Sequence, residues 1–255
     1  LRYLVADKPK SVQWLAFIAV VLPSVSFWSS AIGKDSIAFM SIGLVTWAAI
    51  DLRSRTGLMI FAVVAMLMVR PHMAGMLVLA LSCALFFDKN ASFLMRCLLG
   101  CIAVMGAAIL VPFAIKYAGL VELSQLAAYV EQRQGYNQAG GSSLDISSMS
   151  LPVQMFTYSF RPLPFEAHNL AALLSSMDNL FLILICILGL YSWFRYGVRR
   201  DAGNILFLVA YIGAAWLILA VTTGNLGIAV RQKWMFMPML IFLCFACIRK
   251  IPFHF

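Results

Sequence analysis

The sequence predicts an all-α protein, a polytopic transmembrane helical bundle of about eight membrane segments, several of them short, with one long external loop. Three observations predict it. The 255-residue chain is 63% hydrophobic and only 11% charged, with a mean hydropathy of +0.92, whereas a soluble domain typically carries about 25% charge. Its apolar residues fall in unbroken runs rather than in the alternating segments of a membrane β-barrel. Its basic excess, +9 overall, is unevenly shared between the connections that join those runs, the asymmetry that sets orientation in a bilayer.

The runs fall at 12–32, 36–50, 57–69, 73–87, 93–115, 179–194, 203–223 and 234–248, read against the roughly 20 apolar residues that one crossing needs. Eight crossings alternate the connections between two faces. The face holding Arg2, Lys8, Lys10, Arg53, Arg55, Lys89, Arg96, Arg195, Arg199, Arg200, Arg249 and Lys250 nets +8, and the other nets +1. The positive-inside rule makes the first face cytoplasmic, so topology accounts for the basic balance and no nucleic acid is implied. The chain divides into N-terminal helices (1–115), an external loop (116–178) and C-terminal helices (179–255). In the loop, residues 121–133 place apolar side chains at near-helical spacing, which predicts a short amphipathic helix on the membrane surface. The Gly- and Ser-rich stretch 135–150 predicts a mobile loop or lid. All six cysteines lie in apolar runs. The C-x-x-C of Cys244 and Cys247 therefore reads as small buried hydrophobes, not a redox or zinc motif.

Three runs are short. Thirteen helical residues from 57 to 69 reach about 20 Å, against a hydrocarbon core of about 30 Å. Their outer ends carry Gly33-Lys34-Asp35 and Arg70-Pro71-His72, and charge at that depth is costly enough to mark a site. Pro71 is expected to push Arg70 out of helical geometry and to open the next helix. The alternative for Arg70 is simple snorkelling to headgroups. Asp35 or Ser36 is expected to cap the helix that follows, leaving N–H groups attractive to an anion, with Lys34 and Asp35 as a local ion pair and Trp28 as an interfacial residue in the alternative reading.

A third cluster, Phe160-Arg161-Pro162-Leu163-Pro164-Phe165-Glu166-Ala167-His168-Asn169, brings a cation, a carboxylate and an imidazole to one loop. His168 also reads as an ordinary hydrogen-bonding residue. A fourth, Thr222 to Trp234, places Arg231 and Lys233 at the start of the last helix, where cations oppose the macrodipole. An external anion, headgroup phosphate included, would explain them, and Trp234 reads as an interfacial anchor.

FWSSAIGKDS (27–36), VRPHMA (69–74), FRPLPFEAHNLAALLSSMDNL (160–180) and GNLGIAVRQKWMFMP (224–238) together resemble the polytopic proteins of bacterial polysaccharide gene clusters, similar to oligosaccharide-repeat-unit (Wzy-type, O-antigen) polymerases. The resemblance implies a glycosyltransferase of the bacterial inner membrane, active on its periplasmic face in O-antigen, capsule or exopolysaccharide biosynthesis. It implies a polyprenyl-diphosphate-linked oligosaccharide as substrate and the bilayer as its setting, with other polysaccharide assembly proteins as partners and no metal or other cofactor. Such proteins usually have more than eight crossings, which implies helices upstream of Leu1. Their membrane-edge arginines correspond to Arg70, Arg161 and Arg231, with Lys34 and Lys233 as further cations for the diphosphate.

The chemistry of the residues is compatible with that. A departing diphosphate gathers charge, which fixed guanidinium groups stabilise in a low-dielectric site. A sugar hydroxyl also needs a base, for which the order is Glu166, His168, Asp35, His72. Two other classes remain: a transporter or flippase for a lipid-linked glycan or another anion, and a non-enzymatic subunit of a polysaccharide machine. The outer-end placement of the polar residues favours one-sided chemistry over transport.

Overall fold

The structure, a computed structural model, describes residues 1–87, isolated positions between 92 and 108, and residues 144–146, 148–198 and 203–248. The expected amphipathic helix at 121–133, most of the Gly- and Ser-rich stretch, and Arg199 and Arg200 lie outside the described residues. All regular structure among the described residues is helical, apart from a single bridge residue at Asn225.

The helices are α1 (Arg2–Val5), α2 (Lys10–Val20), α3 (Pro23–Ser30), α4 (Lys34–Ile50), α5 (Thr56–Val69), α6 (Pro71–Phe86), α7 (Leu151–Phe160), α8 (Leu170–Tyr196), α9 (Ile205–Thr222), α10 (Leu226–Gln232) and α11 (Met237–Cys247). Short 3-10 turns occupy Pro164–Glu166 and Lys233–Met235. Prolines at the first or second position open α3, α6, α7 and α11, where a missing N–H costs no helical hydrogen bond. Asparagine side chains start three others. Asn169 accepts from the N–H of Ala172 at 2.8 Å, Asn204 from that of Phe207 at 3.0 Å, and Asn225 from that of Gly227 at 2.9 Å. Each satisfies an N–H that the first helical turn leaves orphaned.

Eight crossings are not what the described residues contain. Two helices, α8 and α9, are long and apolar enough to cross a membrane, and up to four spans result if each of two bent pairs is one. One pair is α2 with α3, bent by 40° where Pro23 interrupts the run. The other is α10 and its following turn with α11, bent by 60°. The 14 residues of α5 and the 16 of α6 extend only about 21 and 24 Å at 1.5 Å per residue. The expected segment 93–115 lies largely outside the described residues. The segment expected at 179–194 begins nine residues earlier, at Leu170, because Asn169 caps the helix there. Apolar run length misjudged both because it registers neither a bend nor a polar residue carried inside a helix.

Short connections make α4 and α5, then α5 and α6, antiparallel neighbours; α6 packs on α9, and α8 on α11. Gly189 lets α8 approach α11 closely, since a β-carbon there would lie 2.8 Å from that of Cys244. At the lower end of the bundle, Gly203 (φ +84°) lies so close to Ala49 that a side chain would overlap its carbonyl, and the N–H of Asn204 donates to that same oxygen at 3.1 Å. The buried Lys8 ammonium donates to the carbonyls of Phe245 and Ile248, each at 2.5 Å. It thereby satisfies the open C-terminal end of α11 and complements its dipole. Large apolar side chains face outward along the helices, among them Trp14 (61% exposed) and Phe194 (82%), the surface that lipid covers.

Candidate functional site

At the opposite, upper end of the bundle, α3 meets α4, α5 meets α6, and α9 meets α10. Pro71 at the first position of α6 leaves Arg70 extended (φ −146°, ψ 75°) between two helices, as the sequence led one to expect. The Arg70 guanidinium donates through Nη2 to Asp35 Oδ1 at 2.6 Å, and Arg231 donates through Nε to Asp35 Oδ2. Asp35 thus joins two cations that lie 35 and 196 positions away in sequence. Its side chain is 13% exposed, that of Arg70 14%, and that of Arg231 45%. The Arg231 guanidinium also lies over the Trp28 ring, 5.5 Å from its centroid, where the ring face attracts a cation.

These contacts revise the expected role of the helix start. Gly33 is the N-cap of α4, so neither Asp35 nor Ser36 caps it; Asp35 lies in the first turn, and the Ser36 hydroxyl donates back to the Gly33 carbonyl at 2.8 Å. Lys34 is exposed, as is His72 on the first turn of α6.

Beside Asp35 and Arg231 opens a small recess, lined also by Trp28, Ser29, Phe39, Trp234 and Met235. Trp234 is 3% exposed, so it is a wall of this recess and not an interfacial anchor. Behind it, Tyr158 of α7 is 2% exposed and stacks on Phe236, which stacks on Trp216. The Trp216 indole N–H holds α7 by donating to the Met155 carbonyl at 2.9 Å. Burial pushes the Tyr158 hydroxyl well above the ordinary phenol value, opposed in part by the Arg70 charge, so it stays protonated. Four buried polar atoms around this region have no hydrogen-bond partner: Arg70 Nε, Tyr158 Oη, Ser159 Oγ and Trp234 Nε1.

Lys233, expected at the outer mouth, is instead fully buried. Its ammonium donates to Asn179 Oδ1 and, at 3.4 Å, to the Ser159 carbonyl. The Asn179 amide donates to the Pro162 carbonyl at 2.9 Å. The adjacent Asp178 accepts from the backbone N–H of Ser24 at 2.7 Å and from its hydroxyl at 2.5 Å. Sequence reasoning missed this network. The available signal was the pair Asp178-Asn179 inside an otherwise apolar run, since buried polar groups in such helices need specific partners.

The third cluster closes on itself. Arg161 grips Glu166 with Nη2 at 2.5 Å and Nε at 3.1 Å, and the Leu163 N–H donates to the same carboxylate at 2.8 Å. Partial burial alone would raise the Glu166 carboxyl, but Arg161 and the Leu163 N–H outweigh it and hold it below the ordinary carboxylate value. Both oxygens of the first-ranked base are therefore committed to shaping the turn. His168 is exposed, with Nδ1 3.3 Å from the Glu166 carbonyl. Of the sequence-selected residues, the structure thus unites Asp35, Arg70 and Arg231 at one site, pairs Arg161 with Glu166, and buries Lys233.

No group of three or more His, Cys, Asp or Glu suited to a metal ion occurs among the described residues. Neither the family models, nor the curated proteins, nor the solved structures include a match to this chain.

Proposed function

We propose that this protein handles a phosphate-linked lipid at the upper end of its helices, and that its reaction is transfer of a glycan from a polyprenyl diphosphate during bacterial polysaccharide assembly at the inner membrane. The supporting observation is that two guanidinium groups share one carboxylate. Among the described residues that stoichiometry leaves an excess positive charge, on a largely buried Arg70 and a half-exposed Arg231, and an anion is attracted to it. The recess beside it is far too small to engulf a whole ligand. A phosphate group would meet the arginines at its mouth, with its lipid and sugar chains outside.

In the transfer, the acceptor hydroxyl oxygen bonds to the anomeric carbon of the donor sugar. The bond from that carbon to the diphosphate oxygen breaks, and polyprenyl diphosphate leaves with the electron pair. The hydroxyl proton passes to an exposed imidazole, His72 or His168. Arg70 and Arg231 stabilise the departing charge by charge-assisted hydrogen bonds.

The test is reconstituted transfer from a lipid-diphosphate glycan in liposomes, comparing the native chain with Arg70→Lys and Arg70→Ala at matched protein levels. Loss of transfer in both supports the reading, and full activity in both removes Arg70 from the site. One observation favours a second reading, a carrier: Lys233 and Asp178 are buried ionisable groups among apolar helices, a feature of transport pathways. Movement of the intact lipid-linked glycan between leaflets, without chain growth, would select it.

A further inference from the structure

We propose that Asp35 is a built-in stand-in for the ligand: its carboxylate occupies an oxyanion site made by Arg70 and Arg231, and a phosphate group displaces it to gain Tyr158 and Trp234 as further donors. This rests on the reading of Arg70 and Arg231 as a phosphate-binding pair.

Three observations carry it. A carboxylate and a phosphate present similar oxygen acceptors to guanidinium groups, so the contacts of Asp35 trace where a phosphate oxygen would sit. A phosphate beside Asp35 would be repelled by it, and therefore the two exclude one another. The atoms left without partners near the site form the second observation. The Arg70 Nε and the Trp234 indole nitrogen are donors only, and the Tyr158 hydroxyl is a protonated group within the electrostatic reach of Arg70. Buried donors left unpaired are costly, and what relieves them is an acceptor. Asp35, engaged on Arg70 Nη2 and Arg231 Nε, reaches none of the three. Tyr158 and Trp234 are each more than nine-tenths buried, and Trp234 lines the recess that holds Asp35.

The third observation is local. Asp35 lies in the first turn of a helix whose N-cap, Gly33, makes no side-chain cap, and the residue before that, Ile32, is fully exposed. A helix start without a cap is the part of a helix least held in place. Asp35 is thereby placed where a small displacement releases both arginines without unpacking the bundle.

The experiment measures binding of inorganic pyrophosphate to the full chain in phosphatidylcholine nanodiscs, for the native protein, Asp35→Asn and Tyr158→Phe. Asp35→Asn keeps the shape but removes the competing charge, and it is expected to tighten binding about tenfold or more, because a charge-assisted hydrogen bond is worth about 1.5–3 kcal/mol and each 1.4 kcal/mol is tenfold. Tyr158→Phe removes one donor and is expected to weaken binding by about tenfold on the same scale. Unchanged or weaker binding by a folded Asp35→Asn, while the native chain binds, overturns the stand-in role and leaves the phosphate reading intact. Absence of pyrophosphate binding in every variant overturns the phosphate reading for a free ligand. The same variants in nanodiscs containing phosphatidylglycerol separate the sources. Thermal stabilisation of Asp35→Asn by that lipid alone, with no response to pyrophosphate, assigns the displaced position to a bilayer headgroup. Should Asp35→Asn not fold, Tyr158→Phe decides: unaltered pyrophosphate binding there overturns the donor set.

Discussion

Two arginine–carboxylate sites occur among the described residues, and they are built on opposite principles. Arg161 and Glu166 are five positions apart, balance each other in charge, and shape one turn with the help of the Leu163 N–H. Arg70, Asp35 and Arg231 come from three helix junctions and remain unbalanced, two cations to one anion. A neutral local pair completes its own structure. On the proposed reading, an unbalanced distant one is completed by a ligand. The difference would then separate an ion pair that supports a loop from one available for a ligand, although both join guanidinium groups to a carboxylate.

The largest expected effect bears on that separation directly. Arg70→Lys should lower glycan transfer roughly 100-fold or more, the scale seen when a fixed donor to a developing charge is lost, because lysine keeps the charge and loses the planar fork. Arg161→Lys, measured in the same liposome assay, should retain most of the activity. Equal losses in both would erase the distinction between the two sites.

Next in size is the buried network that lies between them. Lys233→Met should destabilise the protein by about 1–3 kcal/mol, the cost of leaving the buried Asn179 amide oxygen and Ser159 carbonyl without their donor, read as a lower unfolding midpoint in detergent. Lys233→Arg should recover little of this, since a fully buried ammonium leaves no room for the longer guanidinium. A midpoint within a degree or two of the native protein's would remove Lys233 from the packing that sets Arg231.

A double-mutant cycle on Arg161→Gln and Glu166→Gln should give a coupling energy of less than about 1 kcal/mol, as for other solvent-accessible pairs. The same cycle on Arg70 and Asp35 should give a larger one, because both partners are less exposed. The smallest effect is one of pH. The Glu166 carboxyl is held below its unfolded value, 4.5, so the stability it contributes is complete above that pH and is lost as pH falls through the lower folded value. Acid unfolding of Glu166→Gln should therefore show a slightly shallower dependence than the native chain below about pH 4.5, where the unfolded carboxyl takes up protons.

The fold class was legible in the sequence because unbroken apolar runs admit only helices where lipid is the solvent. The extended Arg70 was legible for a similar reason, since a following proline restricts its backbone. The number of spans was not. A 40° bend at Pro23 divides a run whose hydropathy is continuous, and α10 with its following turn meets α11 at a 60° bend across a charged stretch that hydropathy leaves out of any run. At the site, Arg70 and Asp35 stood out as charges between apolar helices, but their pairing depends on long-range packing that residue spacing does not encode. Lys233 was misplaced because its neighbours Arg231 and Trp234 suggested an exposed mouth, while the polar partners that allow its burial, Asn179 and the Ser159 carbonyl, come from α8 and α7. Glu166 attracted attention as a titratable group in a loop, and the N–H and guanidinium that occupy it became evident only with the turn formed.

The capping of α11 by Lys8 sets a timetable for biosynthesis. The ammonium and its nearer acceptor carbonyl are separated by 237 positions, which a ribosome working at about 5–20 residues per second needs roughly 12–47 s to cover. Throughout that interval the early helices wait for α11, and in a bilayer Lys8 would be solvated by water or headgroups at the membrane edge. Arrival of α11 brings the carbonyls of Phe245 and Ile248 to it, and α10, just before it, brings Arg231 to Asp35 at the other end. Both ends of the bundle are thus closed by the same late segment, so a nascent chain stopped short of it lacks the two carbonyls that hold Lys8 and leaves Asp35 with Arg70 alone, a state that quality-control proteases have ample time to sample.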